Sequence, residues 1–217
     1  MSAAMPAPMP AQYEGAIVGY PVSRGGRAPL VLAALVLGAG ARLRSGTVLY
    51  DGSVIGSALQ TGHGVVVREE SVIGDDVCIW SNSVVDYGCR IGNRVKIHCN
   101  CYIAQYSEIG DDAFLAPGVT TANDLYPGDE RSAAAMGGPK IERAAQIGAN
   151  VTILPYVRIG AGSLIGAGSV VTRDIPAGVV AFGNPAVVRR RVDELPRIED
   201  RLVAEDSVSG FRLRPPE

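Results

Sequence analysis

An aliphatic residue stands at every sixth position over most of this chain, a spacing that few folds require. Neither the two-residue period of a β-strand nor the 3.6-residue period of an α-helix generates it. A small or β-branched residue usually follows four positions later, as at Ser83, Val95 and Cys101, and glycine often follows directly, as in Ile73-Gly74. The pattern predicts short flat strands joined by tight turns. Thr61 is the one non-aliphatic member of the first run, which comprises Leu37, Leu43, Leu49, Ile55, Thr61, Val67, Ile73, Ile79, Val85, Ile91, Ile97, Ile103, Ile109 and Leu115.

The period breaks once, after Thr121, and then resumes. The second run comprises Ile147, Ile153, Ile159, Ile165 and Val171. The step of 147 − 121 = 26 residues is interpreted as one ordinary repeat of six plus an insertion of twenty. Because a long loop inside a strict repeat is a usual place for function, we expect a functional loop at about residues 122–145.

These repeats resemble those of the hexapeptide-repeat acyltransferase family, and the resemblance covers roughly residues 30–187. It implies an all-β fold, the left-handed parallel β-helix, in which three six-residue rungs form one triangular coil and the chains assemble as a homotrimer. The ends of such a solenoid need caps. We therefore expect a flexible or capping segment over residues 1–28, the β-helix with its loop over 29–187, and a C-terminal helix and tail over 188–217. Charges at helical spacing place that helix at about 192–203.

The composition argues against several classes of function. A formal net charge of -2 gives no electrostatic basis for nucleic acid or an anionic membrane as the main partner. The longest apolar stretch, residues 29–38, is too short to cross a bilayer, and no signal peptide is recognisable at residue 1. We therefore expect a cytoplasmic protein that acts on a small molecule.

The cysteines and histidines do not form a metal-binding pattern. The four cysteines contain no C-x-x-C pair, and the chain has only two histidines, so we expect no metal. Cys89 and Cys101 fall on the small inward positions, where a thiol behaves as a compact hydrophobe, and we favour that role over catalysis. Cys78 and Cys99 fall on outward or corner positions.

Positions eighteen residues apart should stack on one face of the coil, separated by about 4.8 Å as in any sheet. The rungs that begin at Thr61, Ile79, Ile97 and Leu115 then share a face, and this face carries both histidines of the chain. We place the candidate site there. Its outward side chains are His63, Trp80, Ser81, Asn82, His98, Asn100 and Pro117.

A more specific resemblance begins on this face. The segment IGNRVKIHCNCYIAQYSEIGDDAFLAPGVTTANDLYP is similar to the one that enters the loop of hexapeptide N-acetyltransferases acting on nucleotide-linked amino sugars. Asn123 matches the asparagine of their T-N motif, whereas Ala122 replaces the usual threonine and His98 stands where glutamine is common. The upstream run LRSGTVLYDGSVIGSALQTGHGVVVREE resembles acyltransferases with a T-G-H-x-V-hydrophobic-R-E segment.

Acyl transfer from a thioester needs a held nucleophile, a route for its proton and donors for the oxyanion. His98 is the candidate base, because imidazole accepts protons near neutral pH. Two alternatives stay open: a hydrogen bond across the trimer interface, or substrate positioning. His63 lies two coils away, about 9.6 Å, which favours a substrate-binding or structural role.

The remaining acceptor-side candidates are asparagines and an aspartate near the loop. The resemblance implies that Asn123 takes part in catalysis and that Asn100 and Asp124 orient the acceptor. Asn100 has an equally weighted structural interpretation. It stands eighteen residues after Asn82 and would form an asparagine ladder with it at the corner of the coils.

The acetyl donor, acetyl-CoA, should lie along the rungs that follow the loop. Gly148, Gly166 and Ala167 are small enough for a pantetheine arm to approach the backbone. The segment VVTRDIPAGVVAFGNPAVVRRR is similar to the family's terminal coil, with Arg173, a G-N-P-A turn that contains Pro185, and Arg189 beyond it. Arginine suits phosphate recognition.

These observations lead to one preferred function and three rivals. The preferred function is an acetyl-CoA-dependent N-acetyltransferase for an amino sugar, nucleotide-linked, with clefts at trimer interfaces. The first rival is an O-acyltransferase of the same fold. The second is a metal-dependent carbonic anhydrase, which needs three imidazole ligands where this chain has two histidines. The third is a non-catalytic trimeric scaffold.

Overall fold

Short parallel strands form the three walls of a triangular prism. The computed structural model describes residues 15–23 and 32–196. Sheet I contains β1 (Ile17–Tyr20), β3 (Val48–Tyr50), β6 (Val66–Val67), β9 (Val84–Val85), β12 (Tyr102–Ile103), β15 (Thr120–Thr121), β18 (Thr152–Ile153) and β21 (Val170–Val171).

The chain passes from sheet I to sheet II and then to sheet III in each coil. Sheet II contains β2 (Val36–Leu37), β4 (Val54–Ile55), β7 (Val72–Ile73), β10 (Arg90–Ile91), β13 (Glu108–Ile109), β16 (Lys140–Ile141) and β19 (Arg158–Ile159). Sheet III contains β5 (Gln60–Thr61), β8 (Cys78–Ile79), β11 (Lys96–Ile97), β14 (Phe114–Leu115), β17 (Gln146–Ile147), β20 (Leu164–Ile165), β22 (Val179–Gly183) and β23 (Ala186–Arg191). This is the left-handed parallel β-helix that the resemblance to hexapeptide-repeat proteins implied.

The second residue of each two-residue strand points into the prism. Ile97 pairs with Ile79 on one side and with Leu115 on the other, so the stacking interval is the expected eighteen residues. All three side chains are at most 1% exposed. The core is therefore a column of aliphatic side chains, and every coil contributes three of them to the hydrophobic free energy of folding.

Thr61, the exception in the aliphatic column, is buried and has hydrogen-bond partners. Its hydroxyl lies 2.8 Å from the hydroxyl of Thr47 and accepts a 3.1 Å hydrogen bond from the backbone N–H of Arg44. A buried hydroxyl is tolerated when it is paired in this way. The hydroxyl also fixes the backbone at Arg44, on the rim of the candidate site.

The corners of the prism need residues in the left-handed backbone region. Asn82 and Asn100 have φ of 59° and 58°, which is the conformation that asparagine tolerates better than most residues. Both side chains are exposed. The corner conformation thus accounts for Asn100 on structural grounds, and its role in orienting an acceptor stays a prediction.

The insertion is shorter than the sequence indicated. Strand β16 pairs with β13 in the register Glu108↔Lys140, a step of 32 residues, so the insertion adds 32 − 18 = 14 residues and not twenty. The loop occupies residues 122–139 and contains one 3₁₀ turn, Ser132–Ala135. The rung at Ile141, six residues before Ile147, belongs to the second run and was missed by the sequence analysis.

The two ends of the β-helix also differ from the predicted boundaries. Strand β1 pairs in parallel with β3, so residues 17–20 extend the prism before residue 29. At the other end, β22 and β23 form an antiparallel hairpin, and residues 188–191 are therefore strand and not part of a helix. The predicted helix over 192–203 begins as a single 3₁₀ turn, Val192–Glu194, and residues 197–217 lie outside the described residues.

No helix within residues 15–23 and 32–196 has the length and apolar character needed to cross a bilayer.

Candidate functional site

Sheet III brings the predicted aromatic and imidazole side chains together. The rings of Trp80 and His98 stack with centroids 4.4 Å apart and an interplanar angle of 15°, and Phe114 packs against His98 at 5.1 Å. The His98 backbone is fixed on both sides, because its N–H donates to Leu115 (2.9 Å) and its carbonyl accepts from Ser83 Oγ (2.7 Å). The His98 side chain is half-buried, so its imidazole is held in position and still reachable from solvent.

His63 lies on the same wall but does not contact His98. It occupies the turn after β5, where its Nδ1 hydrogen-bonds Ser45 Oγ at 2.9 Å and its backbone N–H donates to Ser81 Oγ at 3.0 Å. Trp80 lies in the coil between the two histidines. Sequence reasoning thus placed both histidines on one face correctly, and the structure separates them by an indole ring.

The loop leaves the prism from a different corner. Asn123 follows β15 of sheet I, at the corner that leads to sheet II, whereas His98 follows β11 of sheet III. One chain therefore does not bring Asn123 and His98 into one cluster. Asp124 shapes the loop, since its Oδ1 accepts a 2.7 Å hydrogen bond from the N–H of Tyr126.

Asn123 has an unusual hydrogen-bonding state. Its carbonyl accepts from the N–H of Gly137 (2.8 Å), which closes the base of the loop. Its side-chain Nδ2 is buried and has no hydrogen-bond partner among the described residues. Buried amide donors are nearly always paired, so this one is available to an acceptor outside the described chain.

The small residues predicted to lie against a cofactor are also required for packing between neighbouring coils. A Cβ on Gly148 would lie 2.5 Å from the backbone N of Ala167, and a Cβ on Gly166 would lie 2.7 Å from Cβ of Phe182. Both glycines are therefore required by the neighbouring coil. Contact of Gly148, Gly166 and Ala167 with a pantetheine arm stays a prediction.

The predicted phosphate-binding arginines lie at the C-terminal end of the prism. Arg189 is exposed, with its guanidinium carbon 5.0 Å from the centre of the Phe182 ring, beside the turn that contains Pro185. Arg173 is exposed after β21. Neither guanidinium forms an ion pair with the described residues, so both are free for an anionic group.

One buried polar network was missed by the sequence analysis. Glu69 is fully buried and receives two 3.0 Å hydrogen bonds from Arg68, whose NH1 lies 3.5 Å from Asp86 Oδ1. Asp86 Oδ2 also accepts 2.7 Å hydrogen bonds from Tyr102 and Gln105. Burial, together with the hydrogen bond to Asp86, raises the pKa of Tyr102. The available signal was the Arg68-Glu69 pair at the end of the segment TGHGVVVRE.

The network and the loop share one corner of the prism. Gln105 and Asn123 occupy equivalent positions in consecutive coils, because Tyr102 pairs with Thr120. Arg68 is further enclosed by the rings of Tyr50 and Tyr87, at 5.5 and 5.6 Å. A desolvated ionic network of this kind gives the corner a fixed geometry directly below the loop.

The core role predicted for two cysteines is confirmed. Cys89 and Cys101 are 0% and 2% exposed, and burial raises the pKa of the Cys89 thiol to about 12. Burial also raises the pKa of Cys101. These thiols are therefore packed and protonated. Within the described ranges, no three His, Cys, Asp or Glu side chains converge as a metal site would require.

Comparison with family models identifies the repeats. Residues 88–123 and 138–173 match the family described as bacterial transferase hexapeptide (six repeats). Residues 70–105 match the hexapeptide repeat of succinyl-transferase. The matched segments include the wall that carries Trp80 and His98, and the coils on both sides of the loop.

Curated relatives and solved structures agree with that match. The chain is 43% identical over 90 residues to galactoside O-acetyltransferase of Lactococcus lactis, covering 40% of this chain and 44% of the relative. It is 42% identical over 101 residues to the bifunctional protein GlmU of Rubrobacter xylanophilus, covering 46% of this chain and 20% of the relative. The chain thus spans less than half the length of these two relatives. The polySia-specific acetyltransferase NeuO has the same fold, with a TM-score of 0.59 and 21% identity over 80% of this chain and 93% of that one.

Proposed function

Because the repeats of this chain are hexapeptide repeats of the bacterial transferase family, we propose that the protein is an acetyltransferase that uses acetyl-CoA. We further propose that it assembles as a homotrimer and that the acceptor is an amino sugar, carried on a nucleotide. The observation that carries the proposal is the half-exposed His98 imidazole, held between Trp80 and Phe114 on an outer wall of the prism.

The proposed chemistry is attack of an amine on a thioester carbonyl. The N–C bond forms, the C–S bond breaks, and the proton lost by the amine passes through His98 to the departing thiolate. His98 can accept that proton because its ring is fixed by stacking and reachable from outside. A histidine that acts as a general base usually raises the reaction rate by about 10²–10⁴-fold.

Asn123 has the properties of an oxyanion or acceptor ligand. Its Nδ2 is a buried donor without a partner in residues 15–23 and 32–196, and preorganised donors of this kind stabilise developing negative charge. Since Asn123 and His98 lie on different corners of one chain, the proposed site combines the His98 wall of one protomer with the loop of its neighbour. This requirement is the structural argument for the trimer.

The donor-binding part of the proposal rests on the C-terminal coils. Arg173 and Arg189 are exposed and free of ion pairs with described residues, which suits the phosphates of coenzyme A. Acetyl-CoA supplies the activated acetyl group, and these residues hold its anionic end away from the reacting centre.

A second acceptor class has its own support. The 43% identity to a galactoside O-acetyltransferase favours a sugar hydroxyl as acceptor, with the same wall and the same proton route. Amines are the stronger nucleophiles, but the geometry of His98 serves either group.

The test is a coenzyme A release assay with acetyl-CoA and paired acceptors, an amino sugar and its hydroxy counterpart, each free and nucleotide-linked. We expect the nucleotide-linked amino sugar to be the best acceptor. His98→Ala should lower kcat at least tenfold, whereas His63→Ala should leave kcat within about threefold and act mainly on KM. No release with any acceptor, or full activity of His98→Ala, would contradict the proposal.

A further inference from the structure

A cavity of about 350 Å³ lies on the sheet III wall and spans the three coils that precede His98. Its lining includes Arg42, Arg44, His63, Trp80 and Cys78. None of the described residues that line it is acidic. The cavity therefore concentrates positive charge and hydrogen-bond donors beside an aromatic ring.

The two arginines of this cavity differ from the five described arginines that pair with a carboxylate. Neither Arg42 nor Arg44 has an ion pair or a side-chain hydrogen bond with residues 15–23 or 32–196, and both are exposed. The arginines with carboxylate partners are Arg68, Arg94, Arg131, Arg158 and Arg191. Two unneutralised guanidinium groups on the rim of one cavity are suited to an anion with several oxygens.

The backbone under these arginines is fixed. The N–H of Arg42 donates to Leu59 (2.8 Å), and the N–H of Arg44 donates to the buried hydroxyl of Thr61 (3.1 Å). Thr61 thus stands in place of an aliphatic residue in a coil that borders the cavity, and its hydroxyl holds the backbone of the cavity rim. His63 adds a third nitrogen, since the hydrogen bond to Ser45 uses Nδ1 and leaves Nε2 free of described partners; Nε2 is a donor when the Ser45 hydroxyl donates to Nδ1.

Trp80 connects this cavity to the proposed reaction centre. One face of its indole stacks on His98. On the other side lies Gly62, which occupies the equivalent position one coil earlier and has no side chain to cover the ring. The open face of an indole is a good surface for the apolar face of a sugar ring.

We propose that this cavity binds the diphosphate of a sugar nucleotide, with Arg42, Arg44 and His63 on the phosphate oxygens. The sugar ring lies on the open face of Trp80, and its reacting group extends past the edge of the indole toward His98. The inference rests on the proposed acetyl transfer and defines its acceptor as a sugar diphosphate ester. The distances agree, because Arg44 and Trp80 lie two coils apart, about 9.6 Å, and a sugar joined to a diphosphate spans about that length.

Trp80 also provides the measurement, because it is the only tryptophan of the chain. UDP-glucose, glucose and inorganic pyrophosphate are titrated into the full-length protein, without acetyl-CoA, while Trp80 fluorescence is recorded. We expect a saturable change with UDP-glucose, an affinity that falls as ionic strength rises, and at least tenfold weaker binding of glucose.

The decisive variants are matched in charge. Arg42→Gln with Arg44→Gln should weaken UDP-glucose binding at least tenfold. The control is Arg90→Gln with Arg143→Gln, which removes two exposed arginines from the groove of about 570 Å³ on sheet II and should change the affinity less than twofold. Circular dichroism and the thermal midpoint check that both pairs retain the β-helix.

Three results would overturn the inference: no fluorescence change with UDP-glucose, equal losses in the two pairs, or glucose binding as tightly as UDP-glucose. Its failure is separable from failure of the proposed function. Binding that depends on Arg42 and Arg44 without any acetyl transfer would keep the site and refute the reaction. Acetyl transfer that the Arg42 and Arg44 substitutions leave unchanged would keep the reaction and refute the site.

Discussion

Gly148 offers a direct measure of how tightly the coils are stacked. A Cβ at this position would lie 2.5 Å from the N of Ala167, 2.7 Å from the O of Ile165 and 2.9 Å from the Cα of Ala167. All three are backbone atoms, so no side-chain rotation can relieve the contact. The N–H of Gly148 also donates a 2.8 Å hydrogen bond to the carbonyl of Ile165. An added Cβ would push the two coils apart and lengthen this hydrogen bond.

The free energy of unfolding should therefore fall in Gly148→Ala by about 2–4 kcal/mol. Overpacking a well-packed region costs about 1–3 kcal/mol. A weakened backbone hydrogen bond adds about 0.5–1.5 kcal/mol. Backbone conformation contributes little, because Gly148 is not among the residues with positive φ.

Gly168→Ala is the matched control, since it combines the opposite properties. Gly168 has φ of +69° and no atom within 4 Å of an added Cβ, so only the left-handed conformation is penalised, by about 1–2 kcal/mol. The corners of this fold already accept alanine at positive φ, as at Ala58 and Ala144, which places Gly168→Ala at the lower end of that range.

The assay is urea denaturation followed by circular dichroism, with amide hydrogen exchange of the Ile165 strand as the local readout. We expect Gly148→Ala to be clearly less stable than Gly168→Ala and to lose protection at the coils around residues 148 and 165. Equal stability of the two variants, or a more stable Gly148→Ala, would refute the stacking argument.

The remaining predictions concern the buried polar and thiol groups. Asp86→Ala should lower the free energy of unfolding by about 3–5 kcal/mol, because it leaves Arg68 and Tyr102 without their shared partner. The same change at exposed Asp193 should alter the free energy of unfolding by at most about 0.5 kcal/mol. Similar effects of the two substitutions would contradict the network. Burial raises the pKa of Cys89 to about 12, so at alkaline pH the native state keeps a proton that the unfolded state loses. The free energy of unfolding should therefore fall as pH rises from about 9 to 12. Urea titrations across this pH range should show a smaller fall for Cys89→Ala. In the native protein a thiol reagent should modify Cys78 and Cys99 within minutes and leave Cys89 and Cys101 unmodified, and rapid modification of all four would refute their burial.

Much of the prism was predictable because each coil repeats one local rule. The burial of Ile79, Ile97 and Leu115 follows from the six-residue period, which is the same in every coil. The rung at Ile141 was missed next to the insertion, although its strand pairs normally with β13. Local repetition therefore predicts the core better than it predicts where an insertion ends.

The site was predictable only in part. The shared wall of Trp80 and His98 follows from counting in steps of eighteen, whereas His63 lies one position further along, in the turn after β5. The distance in sequence between Asn123 and His98 does not predict that they are separated in space. Their separation depends on which wall the chain has reached when the loop begins.

The sequence by itself determined the six-residue repeat and its interruption, because these are consequences of spacing along one chain. The resemblance to hexapeptide-repeat proteins implied the three-walled coil and the face that carries both histidines. Only the tertiary structure revealed the stacking of Trp80 on His98, the buried network of Arg68, Glu69 and Asp86, and the Asn123 amide that has no partner among the described residues. Those features depend on side-chain directions and distances between coils. They arise from close packing in three dimensions, which a one-dimensional period does not encode.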